Sequence, residues 1–501
     1  MAAGVRTRVA PGKTSSGETA SGSVRSRSVP QLLRTALGGG WTTPRRVRAL
    51  TALCLVALVA FGAVAATVLG GARGSIDTIG HRAAPQAVRA SDLYFALSDM
   101  DAQAANLLLV GADPADAGRR KATQDVYEQR RAQADGDLQQ ATAAAAGDPA
   151  AQRAVASVLG ALGQYEALVA RSELLEDQGK DQPGKPSADA LDAYRQATGL
   201  LRQQLLPGAD QVAAASEATV DGSYASQRSD LAAGWWWLLA FGVLALLALG
   251  ALQRTLTVRY RRLVSPPLAL ALVLTAAGLV YGLSLVSGAD QHLKVAKSSA
   301  YDSVIALSRA RAVAYDSNAD ESRYLSDPAG AAGYERSFFD KTQSIATIDG
   351  ADLAAYSGDL NERAMALQAD PKQVGFGGYL GTELRNITFP GEQAAADKVL
   401  STFQTYQADD HKLRLLNTQG RLADAVTFDT GNAPGQSNAD FGLLSDAFSD
   451  VIGINQKAFD QAVAQSDGDL GAGATTAGLV LLLAGLGLTL VAVRPRLAEY
   501  R

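Results

Sequence analysis

Three histidines occur in the 501-residue chain, His81, His292 and His411, and none stands at metal-ligand spacing from cysteine, a second histidine or paired carboxylates. Zinc chemistry is therefore not expected. No serine lies in a nucleophile elbow and no P-loop is present. Residues 375–381, Gly-Phe-Gly-Gly-Tyr-Leu-Gly, have the glycine density of a phosphate loop, but they follow no strand and lack its spacing. They read as a flexible hairpin tip whose exposed aromatics, Phe376 and Tyr379, are candidate contacts for an outside partner. The carboxylate pairs Asp99/Asp101 and Asp409/Asp410 read as solvated helix faces, and His81 and His292 as helix residues near a membrane surface. The expectation is a protein without catalytic residues, metal or cofactor.

The elements that carry these residues are set by four charge-free stretches, 49–69, 234–252, 268–286 and 475–493. Each is about the 20 residues that an α-helix needs to cross a hydrocarbon core. None contains Asp, Glu, Lys, Arg, His or Pro, which disfavours a transporter, whose path usually keeps such groups at mid-membrane. The pieces 1–48, 253–266 and 494–501 hold 16 basic and two acidic residues, against 30 and 48 in the two long segments between spans. Basic flanks stay in the cytoplasm, so both termini and the short loop are expected inside, and the segments 72–233 and 288–474 outside. Trp235, Trp236 and Trp237 suit the outer headgroup level. The acidity of the whole chain is no sign of nucleic-acid binding. The only cysteine, Cys54, lies in the first span, so the outer segments must be stable without disulfides. The first span is expected to be an uncleaved anchor.

The order of spans and segments is a duplication in outline. Ala96-Leu97-Ser98 and Asp113-Pro114 return as Ala306-Leu307-Ser308 and Asp327-Pro328, and His81 as His292. Both segments are rich in Ala, Leu, Gln, Asp and Arg and lack strand alternation, so the fold is expected to be all-α: an integral membrane protein with two extracytoplasmic four-helix bundles in tandem. Leu93, Leu97, Met100, Ala104 and Leu107 form a heptad seam that stops at Gly111. Turn signals divide the first segment into helices at about 74–111, 115–146, 149–177 and 187–233. Breaks at Asp327-Pro328, 371–391 and 428–438 give four in the second, the last with a seam of Phe441, Leu444, Phe448, Val451, Asn455 and Phe459. First and last helices are expected to run unbroken into spans 49–71, 234–252, 267–287 and 475–493. Asn386-Ile387-Thr388 matches a glycosylation sequon only by chance.

The tail 1–48 is polar and arginine-rich and reads as disordered, with a short helix after Pro30 and Trp41 at the inner membrane surface. Candidate contacts for a cytoplasmic partner are Leu32, Leu33 and Trp41 in this tail and Arg254, Arg259, Arg261 and Arg262 in the loop. The inner pieces are too short to fold as an output domain, so any signal must leave through a separate protein. Helical bundles joined directly to spans resemble the sensing domains of bacterial chemoreceptors and sensor kinases. The stretch from Leu93-Tyr94-Phe95-Ala96-Leu97-Ser98-Asp99-Met100-Asp101 to Asn106 and Gly111, in this tandem layout, is similar to the actinobacterial GlnX-type membrane proteins. That resemblance implies relay of amino-acid availability from an external solute-binding lipoprotein to a soluble Ser/Thr protein kinase, alongside contact with membrane lipid. The alternative is a membrane scaffold or envelope anchor that does not switch.

Overall fold

The computed structural model describes residues 43–145, 149–260 and 264–498. They are mostly helical, and no strand occurs among them. The first rod is α1 (Thr43–Ile76), a widened π-helical turn (Asp77–Ala83) and α2 (Ala84–Val110). Next come α3 (Ala117–Ala144) and α4 (Pro149–Gly179). The second rod is α5 (Ala188–Leu200), a π turn (Leu201–Leu205) and α6 (Leu206–Tyr260). The third is α7 (Pro266–Lys294), a π turn (Val295–Tyr301) and α8 (Asp302–Ser326). Shorter helices follow: α9 (Ala331–Ile345), α10 (Leu353–Ala369) and α11 (Gly378–Asn386). Then come α12 (Glu392–Thr418), α13 (Leu422–Asp429), α14 (Ser437–Asp469) and α15 (Ala472–Ala498).

Four rods contain a stretch long and apolar enough to cross a membrane, so this is a multi-pass membrane protein. Their apolar surface has no protein to cover it: Val56, Trp236, Val273 and Val480 are all more than 60% exposed, as lipid-facing side chains are. Spans touch where glycine leaves room, Gly62 against Leu482, Gly234 against Val68, and Gly242 against Leu279. Three rods continue from span to polar segment without a break. The fourth is interrupted at Leu470–Gly471, between α14 and α15, where a continuous helix was expected. Two of the π turns precede prolines, Pro85 and Pro207; a widened turn absorbs the missing amide and the ring clash that would otherwise kink the rod. The first and third π turns occupy corresponding places in the two halves.

Beyond the spans, α2 and α8 pack against each other along their length, and the remaining helices wrap around this pair. Of the 27 residues of α2, 20 are buried, and of the 25 of α8, 19; helices buried on every side are the centre of a body, not its surface. The expected seams hold: Leu93, Leu97, Met100, Ala104 and Leu107 are at most 3% exposed, as are Leu444, Phe448 and Val451 in the second segment. Each segment has its own apolar cluster, and Ala319 and Tyr315 of α8 belong to that of the first. A third cluster at the far end joins Leu109 to Tyr324, Leu413 and Phe428. The second segment has seven helical pieces where the turn signals gave four. Gly350 and Gly420, both at positive φ, and the Asp352 cap on the Ala355 amide make the additional breaks.

Candidate functional site

The α2–α8 seam is apolar near the membrane and becomes ionic further out. Arg323 of α8 is fully buried and pairs with Asp101 of α2, with Asp320 one turn back on α8, and with Asp316 at 3.5 Å. Its Nε donates to the Tyr194 hydroxyl of α5 at 3.0 Å. Asp101 also accepts from Tyr165 of α4 and Thr198 of α5, each at 3.1 Å. One guanidinium thereby ties three helices of the first segment to the second. Burial disfavours its charge, but Tyr194, Asp101, Asp320 and Asp316 outweigh that and hold the Arg323 pKa well above its usual value. Burial likewise opposes ionisation of Asp320, and Lys341, Arg323 and Arg202 overcome it, bringing its pKa to about 2. Further pairs cross the same boundary: Arg195 with Asp327 at 2.7 Å, Arg309 with Glu217 at 2.9 Å, and Lys297 with Asp221 at 2.7 Å. The two segments therefore make one interlocked body.

A cleft of about 480 Å³ opens on this boundary. Its walls are Ser91 and Tyr94 of α2, Arg202 in the second π turn, Asp210 of α6, Arg309 and Asp316 of α8, Lys341 of α9 and Tyr379 of α11, over a floor that includes Leu206, Pro207 and Val313. Lys341 is held by Asp316 and Asp320, and Arg309 by Glu217. Arg202 donates only to the Ser337 hydroxyl, with Asp320 at 3.8 Å. The Ser91 hydroxyl is buried and has no hydrogen-bond partner. Burial, with Asp316 and Asp210 nearby, raises the Tyr94 pKa, so its hydroxyl stays a donor. The cleft thus offers spare donors and acceptors of both charges to a small polar molecule.

Further out, Glu321 of α8, Asp410 of α12 and Asp429 of α13 are buried together, with Arg414 paired to Asp410. Asp429 accepts from Ser322 at 3.0 Å, and the same hydroxyl lies 2.6 Å from Asn106 of α2. Burial raises all three carboxyl pKa values, that of Asp429 to about 7 and that of Glu321 well above the usual range, where Asp410 and Asp429 add their repulsion. No group of three or more His, Cys, Asp or Glu able to hold a metal ion occurs among the described residues.

Several expectations change here. Asp99, Asp101, Asp409 and Asp410 are buried and do not lie on solvated faces. Asp99 and Asp101 turn inward because both sides of α2 are covered, and Arg130 and Arg323 neutralise them. The 375–381 stretch is not an exposed tip: Phe376 is 4% exposed in the second core, and Tyr379 lines the cleft on α11. Gly378, at φ +73°, allows that packing, since a Cβ there would meet the Ile345 and Ser344 carbonyls at 2.6 and 2.7 Å. His81 and His292 both reach the end of α14, to Asp467 at 2.8 Å and Asp469 at 3.2 Å. Asn386 donates to the Ser298 and Ser299 carbonyls and to Ser303, so its side chain is engaged internally. Arg254 is exposed on α6. Leu32, Leu33, Trp41, Arg261 and Arg262 lie outside the described residues, as does the side chain of Arg259.

Comparison with known proteins agrees with a sensing role. Residues 75–225 match a family model described as an actinobacterial sensor domain. The match begins at the last residues of α1, spans α2 to α5 and ends within α6, and so contains Asp101, Tyr165, Tyr194, Thr198 and the cleft walls from α2, the second π turn and α6. No curated protein and no solved structure matches the chain.

Proposed function

We propose that this chain is a membrane signal relay in which an external ligand or a ligand-loaded solute-binding protein acts on the α2–α8 body, and the four rods carry the change to a cytoplasmic partner. The observation that carries this reading is helical continuity: one unbroken rod of 66 residues, Arg45–Val110, bears both a span and the Asp101 end of the buried ion cluster. The third rod, Pro266–Ser326, does the same for Arg323. A displacement of one rod against the other at the junction reaches the membrane without passing through a flexible linker. The sensor-domain match over 75–225 supports a receptor over a transporter or an enzyme.

The basic loop and tails against acidic segments support the orientation, with the α2–α8 body outside and Arg254 inside. The resemblance to GlnX-type proteins supports a solute-binding protein as outside partner and a Ser/Thr protein kinase as inside partner. Affinity capture of the full chain from native membranes tests both. Recovery of a solute-binding protein and a kinase together, with kinase recovery lost on deleting residues 28–48, is the expected result. Recovery of wall-synthesis or division proteins instead would assign the chain to a non-switching anchor.

A further inference from the structure

Helix α4 carries two heptad seams, and the fold uses only one. Val155, Val158, Leu162, Tyr165, Val169 and Ser172 face the core and are buried. On another side, Ala156, Gly160, Gly163, Ala167, Ala170 and Leu174 repeat at alternating steps of four and three, and all are exposed. Leu174 is 56% exposed, and Leu159, on the flank of this seam, 57%. A Cβ added at Gly160 or Gly163 would meet nothing within 4 Å. Small side chains repeating every 3.5 residues, with one leucine at the end and another on the flank, are what a second helix packs against at close range.

The charges beside the seam say which helix. Glu166 and Glu173, half-buried with Arg131 and Arg120 of α3 nearby, lie on one flank, and Ser157, Gln164 and Arg171 on the other. In a parallel pair of identical helices, the flanking position of one copy meets the opposite flank of the other five residues on, which sets Glu166 against Arg171 of the second copy, twice by symmetry. Arg171 is exposed and makes no hydrogen bond or ion pair among the described residues. An antiparallel pair would lose this register. Two copies inserted the same way in one membrane, related by a two-fold axis along its normal, necessarily present α4 in parallel. We infer that the outer face of α4 is a homodimer interface, occupied by α4 of a second copy through the 156–174 seam.

The test uses the full-length chain in membranes, with Cys54→Ala removing the native thiol and Ala167→Cys placing one on the seam. Mild oxidation is expected to give a disulfide-linked dimer, whereas Lys121→Cys, on the exposed side of α3, gives none. Adding Arg171→Glu should lower the dimer yield roughly fivefold, since repulsion replaces attraction at two solvent-accessible pairs. The swap of Glu166→Arg with Arg171→Glu should restore it. The unmodified chain in lipid nanodiscs should have the mass of two copies. A chain that remains monomeric there, a folded Ala167→Cys chain that forms no dimer, or a yield indifferent to charge reversal and swap would each overturn the inference, as would a cross-link to a different protein.

Discussion

Arg323 joins the two segments, since its partners lie on α2, α5 and α8. Removing one member of a buried ion cluster strands the charges left behind, so Arg323→Ala is expected to cost about 3–5 kcal/mol of stability. Asp101→Asn in the same chain should recover part of that loss, because one stranded charge is removed with it; chemical denaturation of the single and double variants measures the difference. The carboxyl groups give opposite pH signs. Asp320 is depressed to about 2, so its contribution is present above its unfolded value of 3.8 and is lost as pH falls through 2. Asp429 is raised to about 7, so its contribution is full below 3.8 and is lost as pH rises through 7. The melting temperature should therefore fall between pH 5 and 8, and Asp429→Asn should flatten that slope. A melting temperature that climbs over this range would contradict the burial of Asp429. Little of this was legible in the sequence. The Leu93–Leu107 seam identifies one covered face of α2, and Asp99 and Asp101 fall outside it; only the pairing of α2 with α8 covers the other side. The run Asp316-Ser317-Asn318-Ala319-Asp320-Glu321-Ser322-Arg323 has the composition of a solvated helix, yet every residue in it is buried. Lys341 is 21 positions from Asp320, but Asp101, Tyr194, Asn106 and Asp429 lie more than 100 positions from their partners in the run, and nothing local announces them.

At the scale of elements, the rods were legible, because charge-free runs of about twenty residues and uninterrupted helical composition on either side leave few alternatives. The π turns were not, since a widened turn depends on packing and on proline clash more than on local propensity. The second segment was read with too few helices because the breaks at 346–352, around Asp349-Gly350, and at 419–421, around Gln419-Gly420, carry no proline and lie inside otherwise helical composition. The close approach of α2 and α8 rests on small residues. Ala105 and Ala319 are completely buried, and Ala319→Leu should overpack the seam at a cost of about 1–3 kcal/mol. Limited proteolysis should then cut the short helices α9 to α13 earlier than in the parent chain, while an alanine-to-leucine change at the exposed Ala167 leaves the digestion pattern unchanged.

At the scale of the whole molecule, the two segments meet along α2 and α8, and the ionic lock between them lies on the part of that seam away from the spans. A thiol at Lys372→Cys should react with an impermeant maleimide added outside intact cells, and one at Arg254→Cys only after the membrane is opened; the reverse pattern would contradict the orientation. The central claim is that the state of the Asp101–Arg323 junction sets the arrangement of the rods at the inner side. Spin labels at Ala49→Cys on α1 and Arg254→Cys on α6, in a Cys54→Ala chain held in nanodiscs, read that arrangement as a distance distribution. Comparing the native junction with Arg323→Gln, the account predicts a displaced or broadened inner distance, on the order of 1–2 Å. Identical distributions, with the junction demonstrably loosened, would contradict it.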